Sequence, residues 1–166
     1  MLRVMNLFSR LALVGFLLVC PLATAQGTSP YVGTGFGFTF VNGSVGGALT
    51  LQGGVEHLLG PVGVQGVAIV GISVPFIEVA AELLAHFPMG SLKPYVGAGV
   101  GVSPTGAADI ISPSRALAFN VHAVGGLEVA VADAIGVYGE VQPRLYFNEV
   151  TSLGLGFRFG ANYHFD

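Results

Sequence analysis

The stretch that decides the fold is the end of the chain, TSLGLGFRFGANYHFD at Thr151–Asp166, because its side chains alternate in character. One face collects apolar and aromatic residues, namely Leu153, Leu155, Phe157, Phe159, Ala161, Tyr163 and Phe165. The opposite face collects small and polar residues, namely Gly154, Gly156, Arg158, Gly160, Asn162 and His164. A period of two indicates a β-strand whose faces meet different surroundings. A tilted strand crosses a bilayer with about 9–11 residues, so this stretch is long enough to span a membrane.

The composition of the chain agrees with spanning strands. Of its 166 residues, 52% are hydrophobic and 9% are charged, and the mean hydropathy is +0.75. Soluble domains carry roughly 25% charged residues. After the amino-terminal segment no run of about 20 apolar residues occurs, so the sequence does not favour a spanning helix. Membrane barrels have this composition because they spread their apolar residues over alternate positions.

The amino-terminal segment has the three parts of an export signal. Arg3 and Arg10 supply the positive region, Leu11–Val19 the apolar core, and the tripeptide Ala-Thr-Ala before Gln26 a small-residue cleavage site. A retained membrane anchor is the alternative, and the short apolar core disfavours it. The predicted organisation is a cleaved signal peptide at residues 1–25 and a barrel domain at residues 26–166.

The charge and cysteine content after cleavage exclude several functions. If Cys20 leaves with the predicted signal peptide, the mature chain has no thiol for a disulfide or a metal site. The mature chain keeps four basic residues against nine acidic ones. Nucleic-acid binding requires a basic surface, so we predict no nucleic-acid partner. No phosphate-binding loop, redox motif or cofactor signature occurs, and we predict no cofactor.

A hairpin at the start of the mature chain fixes a register. Tyr31–Phe40 alternates like the final strand, and Asn42-Gly43 follows as a strong hairpin signal. A turn centred on these two residues places Phe40 opposite Val45 and Phe36 opposite Leu49. The apolar sets of both strands then share one face, as a half-apolar sheet requires.

The same alternation predicts eight strands, an even number as bacterial membrane barrels have. The predicted strands are Tyr31–Phe40, residues 45–56, Val62–Val74, Phe76–Phe87, Lys93–Val102, Leu117–Val129, Ile135–Phe147 and Thr151–Asp166. With the amino end in the periplasm, the longest connection, Pro104–Ser114, falls on the outer side. The fourth strand has an alternative, because Glu78 and Glu82 in an Ala/Glu/Leu-rich run also fit a helix. Its unbroken alternation favours a strand.

Three features resemble a known family: the export signal, the strand KPYVGAGVGV at Lys93–Val102, and a final strand that ends in Tyr163 and Phe165. The chain resembles the small eight-stranded outer-membrane β-barrels, the OmpA/OmpX-like group. The resemblance implies an all-β, eight-stranded antiparallel up-and-down transmembrane barrel in the outer membrane. It also implies a monomer that contacts outer-membrane lipid and is inserted by the barrel-assembly machinery through its last strand. One departure is Asp166, since family members usually end on the aromatic residue.

The polar faces of the strands predict the content of the barrel interior. An eight-stranded barrel is just wide enough for side chains, so we expect a hydrogen-bonded plug rather than an open pore. Alternate glycines such as Gly97, Gly99 and Gly101 would make room for these side chains. The predicted interior residues are Glu56, Gln65, Glu78, Glu82, His86, Asn120, His122, Glu128, Glu140, Gln142, Arg144, Arg158, Asn162 and His164.

A charge balance follows from this interior set. A turn near Glu149 places Arg158 opposite Glu140, and we predict a cross-strand ion pair between them. Five interior glutamates face two arginines. We therefore expect some glutamates to remain protonated or to share a proton with an interior histidine.

Two other functions remain as alternatives. A soluble, lipocalin-like barrel for a lipophilic ligand would have the same alternation with the apolar face inside. A lipid-modifying outer-membrane enzyme would need a Ser/His/acid set facing the lipid, whereas His86, His122 and His164 are predicted inside. No ligand spacing links these three histidines, and we predict neither a metal site nor catalytic residues. The favoured function is a non-enzymatic barrel with a structural or surface-contact role.

Overall fold

The computed structural model describes residues 28–73, 76–105, 118–147 and 151–165, which form a closed eight-stranded antiparallel barrel. Each strand pairs with its neighbours in sequence, and the first pairs with the last to close the barrel. The strands are β1 (Ser29–Val41), β2 (Ser44–Leu59), β3 (Val62–Gly71), β4 (Ile77–His86), β5 (Leu92–Thr105), β6 (Ala118–Ala132), β7 (Ile135–Phe147) and β8 (Ser152–His164). The predicted strand number and topology are confirmed. The predicted signal peptide lies outside the described residues.

The first hairpin has the predicted register. Phe40 lies opposite Val45 and Phe36 opposite Leu49. The turn residues Asn42 and Gly43 have φ angles of 49° and 80°. Two successive left-handed residues give a turn whose twist matches that of the flanking strands, which explains the Asn-Gly pair.

The fourth segment is a strand, and the helix alternative is wrong. β4 pairs along its length with β3 and β5. A helix here would leave the facing edges of β3 and β5 without partners, which is costly where water is absent. Barrel closure therefore overrides the local helix propensity of the Ala/Glu/Leu-rich run. Glu78 and Glu82 both face the interior, where they are buried.

Several strand ends differ from the predicted ones. β2 continues to Leu59, beyond the predicted end at Glu56, through an irregularity in its pairing with β3. At this bulge His57 has a φ of 58°, and its Nδ1 lies 3.1 Å from the carbonyl oxygen of Gly60. The alternation of inward and outward side chains is lost here. Val55 is therefore buried, although it alternates with the outward-facing Leu49 and Leu51.

Two further strand ends, at the opposite end of the barrel, also differ from the predicted ones. β3 ends at Gly71, before the predicted Val74. β5 continues to Thr105, so it includes the first residues of the loop predicted at Pro104–Ser114. The remainder of that predicted loop lies outside the described residues. Among the described residues, no helix is both long and apolar enough to cross a membrane.

The two faces of the barrel wall differ sharply. On the outer face, Leu153 is 71% and Leu83 61% exposed. On the inner face, Glu82 is 1%, Arg158 3% and Gln142 0% exposed. A soluble barrel has the opposite arrangement, with apolar residues inside. The exterior of this barrel is therefore suited to hydrocarbon rather than water.

The interior also contains apolar residues that the sequence did not separate from the outward set. Val67 and Ile69 share the inner face of β3 with Gln65. They belong to a buried apolar cluster that also contains Ala48, Phe76 and Ala80. β3 is apolar on both faces, so the inward position of Val67 and Ile69 follows only from their alternation with Gln65 and not from their own residue types.

A charged network inside the barrel

The predicted interior residues lie inside the barrel, where hydrogen bonds and ion pairs join them in groups. Of the fourteen, thirteen are buried, and the side chain of His164 is 15% exposed. Their contacts divide into a central cluster, a cluster toward the end where β1 finishes, and a cluster near the chain termini. We call the end of the barrel where β1 finishes the loop end, and the opposite end, near the chain termini, the termini end.

Arg158 is the centre of the network. Its Nη2 atom lies 2.9 and 2.8 Å from the two carboxylate oxygens of Glu82, and its Nε atom donates to Oε1 of Glu140. Glu140 lies directly opposite Arg158 on β7, so the predicted cross-strand ion pair is confirmed. Glu82 reaches Arg158 across the barrel from β4. One guanidinium group thus joins two carboxylates, as its several fixed donors allow.

Amide and imidazole groups complete the central cluster. Gln65 Nε2 donates to Glu82 at 2.7 Å, and His122 Nε2 lies 3.0 Å from the same carboxylate. Gln142 Nε2 donates to Glu140 at 2.8 Å. A buried carboxylate requires such partners because it has lost its water. Glu82 and His122 therefore form a carboxylate–histidine pair, and the sharing of a proton between them stays a prediction.

The cluster toward the loop end is a simpler ion pair. Arg144 Nη1 donates to Glu78 at 2.6 Å. Its Nε and Nη2 atoms donate to Gln142 Oε1 at 3.1 and 2.5 Å. Because Gln142 also contacts Glu140, it links this pair to the central cluster. One arginine here neutralises one glutamate.

At the termini end, a lysine lies between two glutamates. Lys93 Nζ is 3.0 Å from both carboxylate oxygens of Glu56 and 3.1 Å from Glu128 Oε1. Its side chain is 23% exposed, which makes it the most accessible of these three charged groups. With Lys93 included, the interior residues that the structure describes comprise five glutamates and three permanent cations rather than two.

Two histidines flank this lysine. His164 Nε2 lies 2.9 Å from Glu128 Oε1, and His86 Nε2 lies 3.8 Å from Glu56 Oε1. We call Glu56, His86, Lys93, Glu128 and His164 together the mouth cluster. It draws on five different strands, so only closure of the barrel assembles it. The sequence could not show this proximity, because no register between two neighbouring strands brings all of these residues together.

Several interior residues were missed in the sequence although a signal was present. Lys93 and Tyr95 have the same parity as Gly97 and Gly99, which were predicted to face inward. Tyr95 OH donates to Glu140 at 2.9 Å. Parity alone would have placed Lys93 and Tyr95 inside. Tyr31 and Gln52 are further interior residues of this kind.

Glycines provide the space for these side chains, as predicted. A Cβ atom on Gly99 would lie 2.5 Å from His122 Nε2 and 2.7 Å from Glu82 Cγ. A Cβ atom on Gly136 would lie 2.5 Å from Glu128 Cδ. Real Cβ contacts are longer, so the charged side chains occupy volume that any other residue at these positions would fill.

An apolar exterior, a charged interior and a closed antiparallel sheet define the class of transmembrane β-barrels. The solved structures agree. The barrel superposes on Neisserial surface protein A with a TM-score of 0.62 and 11% identity, over 84% of this chain and 98% of that one. It superposes on the N-terminal barrel domain of Pseudomonas aeruginosa OprF with a TM-score of 0.58 and 15% identity, over 84% and 98%.

The sequence itself gives no comparable match. No family model matches it, and neither does any curated protein. The structural likeness at these identities establishes the fold, which is that of the small eight-stranded outer-membrane β-barrels.

Proposed function

We propose that this protein is an integral outer-membrane barrel with a non-enzymatic role in envelope structure or surface contact. The observation that carries the proposal is the inverted burial: leucine, valine and phenylalanine cover the outside while glutamate and arginine fill the inside. Exposed apolar area of this extent is unfavourable in water and favourable in a lipid layer. The fold shared with outer-membrane barrels supports the location.

The proposed orientation places the termini end in the periplasm and the loop end outside. Tyr163 and Phe165 then lie at the periplasmic boundary, where both are about half exposed and pack edge to face at 5.1 Å between ring centroids. Aromatic side chains favour the membrane interface. An exposed aromatic pair at the end of the last strand supports insertion by the barrel-assembly machinery. Outer-membrane lipid is the main partner of the barrel, which acts as a monomer.

The proposed interior is a plug and not a pore. Three side-chain clusters occupy successive levels, and Arg158 spans the centre from β8 to β4. A barrel of eight strands leaves room for little beyond its own side chains. Reconstituted into planar bilayers, the wild-type barrel should give no large, steady conductance.

The non-enzymatic part of the proposal rests on where the histidines face. His86 and His122 are buried inside the barrel, and His164 contacts Glu128 there. An acyl chain in the surrounding lipid does not reach them. Deletion of the gene should leave the mass spectrum of lipid A unchanged, and an altered acylation pattern would contradict this part.

Detergent dependence tests the membrane assignment most directly. The mature chain, residues 26–166, should fold only with detergent or lipid and should run faster on a gel before heating than after. The same chain kept in urea serves as the unfolded control. A chain that folds and stays dispersed in buffer without detergent would contradict the outer-membrane assignment.

A further inference from the structure

The mouth cluster has the donor atoms of a metal site. Glu56, Glu128 and His164 each present one ligand atom, and these atoms all lie within 4.8 Å of one another. Two carboxylates and one imidazole form a donor set that suits Zn²⁺ and related divalent transition-metal ions. The three residues come from β2, β6 and β8, which the closed sheet holds at fixed positions.

The charges in the cluster leave room for a divalent ion. Lys93 supplies one positive charge between two carboxylates. The lysine ammonium therefore neutralises only half of the carboxylate charge, whereas a divalent cation would neutralise all of it. Unbalanced charge is costly in a poorly solvated interior. The ammonium group of Lys93 is also able to move out from between the carboxylates, because the side chain is 23% exposed and its four-carbon stem is flexible.

His86 is a separate observation that points to a ligand. It is only 5% exposed, and its Nδ1 atom has no hydrogen-bond partner. Its other ring nitrogen is directed toward the cluster, at 3.8 Å from Glu56 Oε1. A buried imidazole without its full set of partners is unfavourable unless another group binds it. Neutral imidazole is the commonest protein ligand for metals, and His86 lies beside the three donors, outside the group whose ligand atoms all lie within 4.8 Å of one another.

We propose that the mouth cluster binds a divalent transition-metal ion and that Lys93 competes with this ion for the same place. The ion binds to Glu56, Glu128 and His164, with His86 at its edge, and the ammonium group of Lys93 moves toward the solvent at the termini end. The inference needs only the folded barrel, so it stands apart from the proposed envelope role. The competing account is a purely structural set of ion pairs.

Zn²⁺ is the probe for the first test. The folded mature barrel in detergent is freed of metal with a chelator and then titrated with Zn²⁺ against a chromophoric competitor. We expect one equivalent to bind to the wild-type barrel. K93M should bind at least about tenfold more tightly because the competing charge is gone. H164A should bind on the order of 100-fold more weakly because a ligand is lost.

The controls separate this site from general histidine binding. His57 lies outside the cluster, in the bulge before Gly60, so H57A should bind Zn²⁺ like the wild type. Folding of every variant is checked by the heat-dependent gel shift, and H164Q replaces H164A if the alanine variant does not fold. A wild-type barrel that binds no Zn²⁺ would overturn the proposal, as would binding that H164A and H164Q leave unchanged.

Lys93 itself gives a second readout, because it is the sole lysine of the sequence. If Zn²⁺ displaces the ammonium group, an amine-reactive reagent should modify Lys93 faster in the presence of Zn²⁺ than in its absence. Peptide mass spectrometry distinguishes Lys93 from the amino terminus. A labelling rate that Zn²⁺ leaves unchanged or slows would contradict the displacement of Lys93.

Discussion

The central cluster and the mouth cluster have the same ratio of carboxylates to permanent cations, but the cation is an arginine in the centre and a lysine at the mouth. In the centre Arg158 joins Glu82 and Glu140, and at the mouth Lys93 joins Glu56 and Glu128. Each cluster therefore has two carboxylates for one permanent cation. The side chain of Arg158 is 3% exposed and that of Lys93 is 23% exposed.

This difference in burial and chemistry separates two roles. A guanidinium group is planar and holds its donors in a fixed fork, so it orders the carboxylates around it. An ammonium group is a mobile point charge that solvent can replace. The central cluster should therefore act as a structural support of the barrel, and the mouth cluster as a place where the cation can be exchanged.

The largest expected effect is the loss of the central cation. R158M leaves two glutamates buried without a permanent counter-charge, and we expect the free energy of unfolding to fall by about 3–5 kcal/mol. The measurement is urea unfolding in lipid vesicles followed by the heat-dependent gel shift, because the chain contains no tryptophan for fluorescence.

A charge-matched variant provides the control for this experiment. In the triple variant R158M/E82Q/E140Q the uncompensated carboxylates are also removed, and at least half of the lost stability should return. If R158M alone unfolds at the same urea concentration as the wild type, Arg158 does not support the barrel and the comparison of the two clusters fails.

The next effect tests how tightly the central cluster is packed. G99A would bring a Cβ atom to 2.5 Å from His122 Nε2 and 2.8 Å from the carbonyl oxygen of Ala81. Backbone cannot move aside easily, so we expect a loss of about 1–3 kcal/mol in the free energy of unfolding. Gly125 faces outward with nothing within 4 Å of its Cβ position, and G125A is the matched control. Equal stability of the two variants would show that the centre tolerates added volume.

The loss of the mouth cation should cost less than the loss of the central one. K93M also leaves two buried carboxylates without their cation, but Glu128 keeps its contact with His164, and the partial exposure of Lys93 and His164 brings solvent close to the cluster. We expect a loss of about 1 kcal/mol in the free energy of unfolding, and a smaller loss at high salt. The comparison is urea unfolding of K93M and wild type at low and high ionic strength. A loss as large as that of R158M would mean that Lys93 is a structural support and not an exchangeable group.

The two clusters also differ in how far the sequence could predict them. The alternation in Thr151–Asp166 predicts the strand and its two faces. The register predicted for β7 and β8 also places Arg158 opposite Glu140. Both inferences depend on neighbouring strands, where pairing is local and periodic. The Glu82–Arg158 contact in the centre depends on contact across the barrel. So does most of the mouth cluster, whose one pair of direct register partners is Lys93 and Glu128 on β5 and β6. Those contacts follow from the stagger of the strands around the closed sheet, which the alternation of residues does not predict.

The smallest expected effect comes from adding a methyl group at Gly136, a glycine beside the mouth cluster. A Cβ atom on Gly136 would meet Glu128, at 2.5 Å from Cδ and 2.7 Å from Cγ, rather than a backbone atom. Glu128 is able to shift because Lys93 and His164 beside it are partly exposed. We therefore expect G136A to lower the free energy of unfolding by under about 1 kcal/mol, at the mild end of overpacking, measured alongside G99A. A cost equal to that of G99A would show that Glu128 is held as rigidly as Glu82, and a rigid Glu128 would not leave the mouth cluster free to exchange its cation.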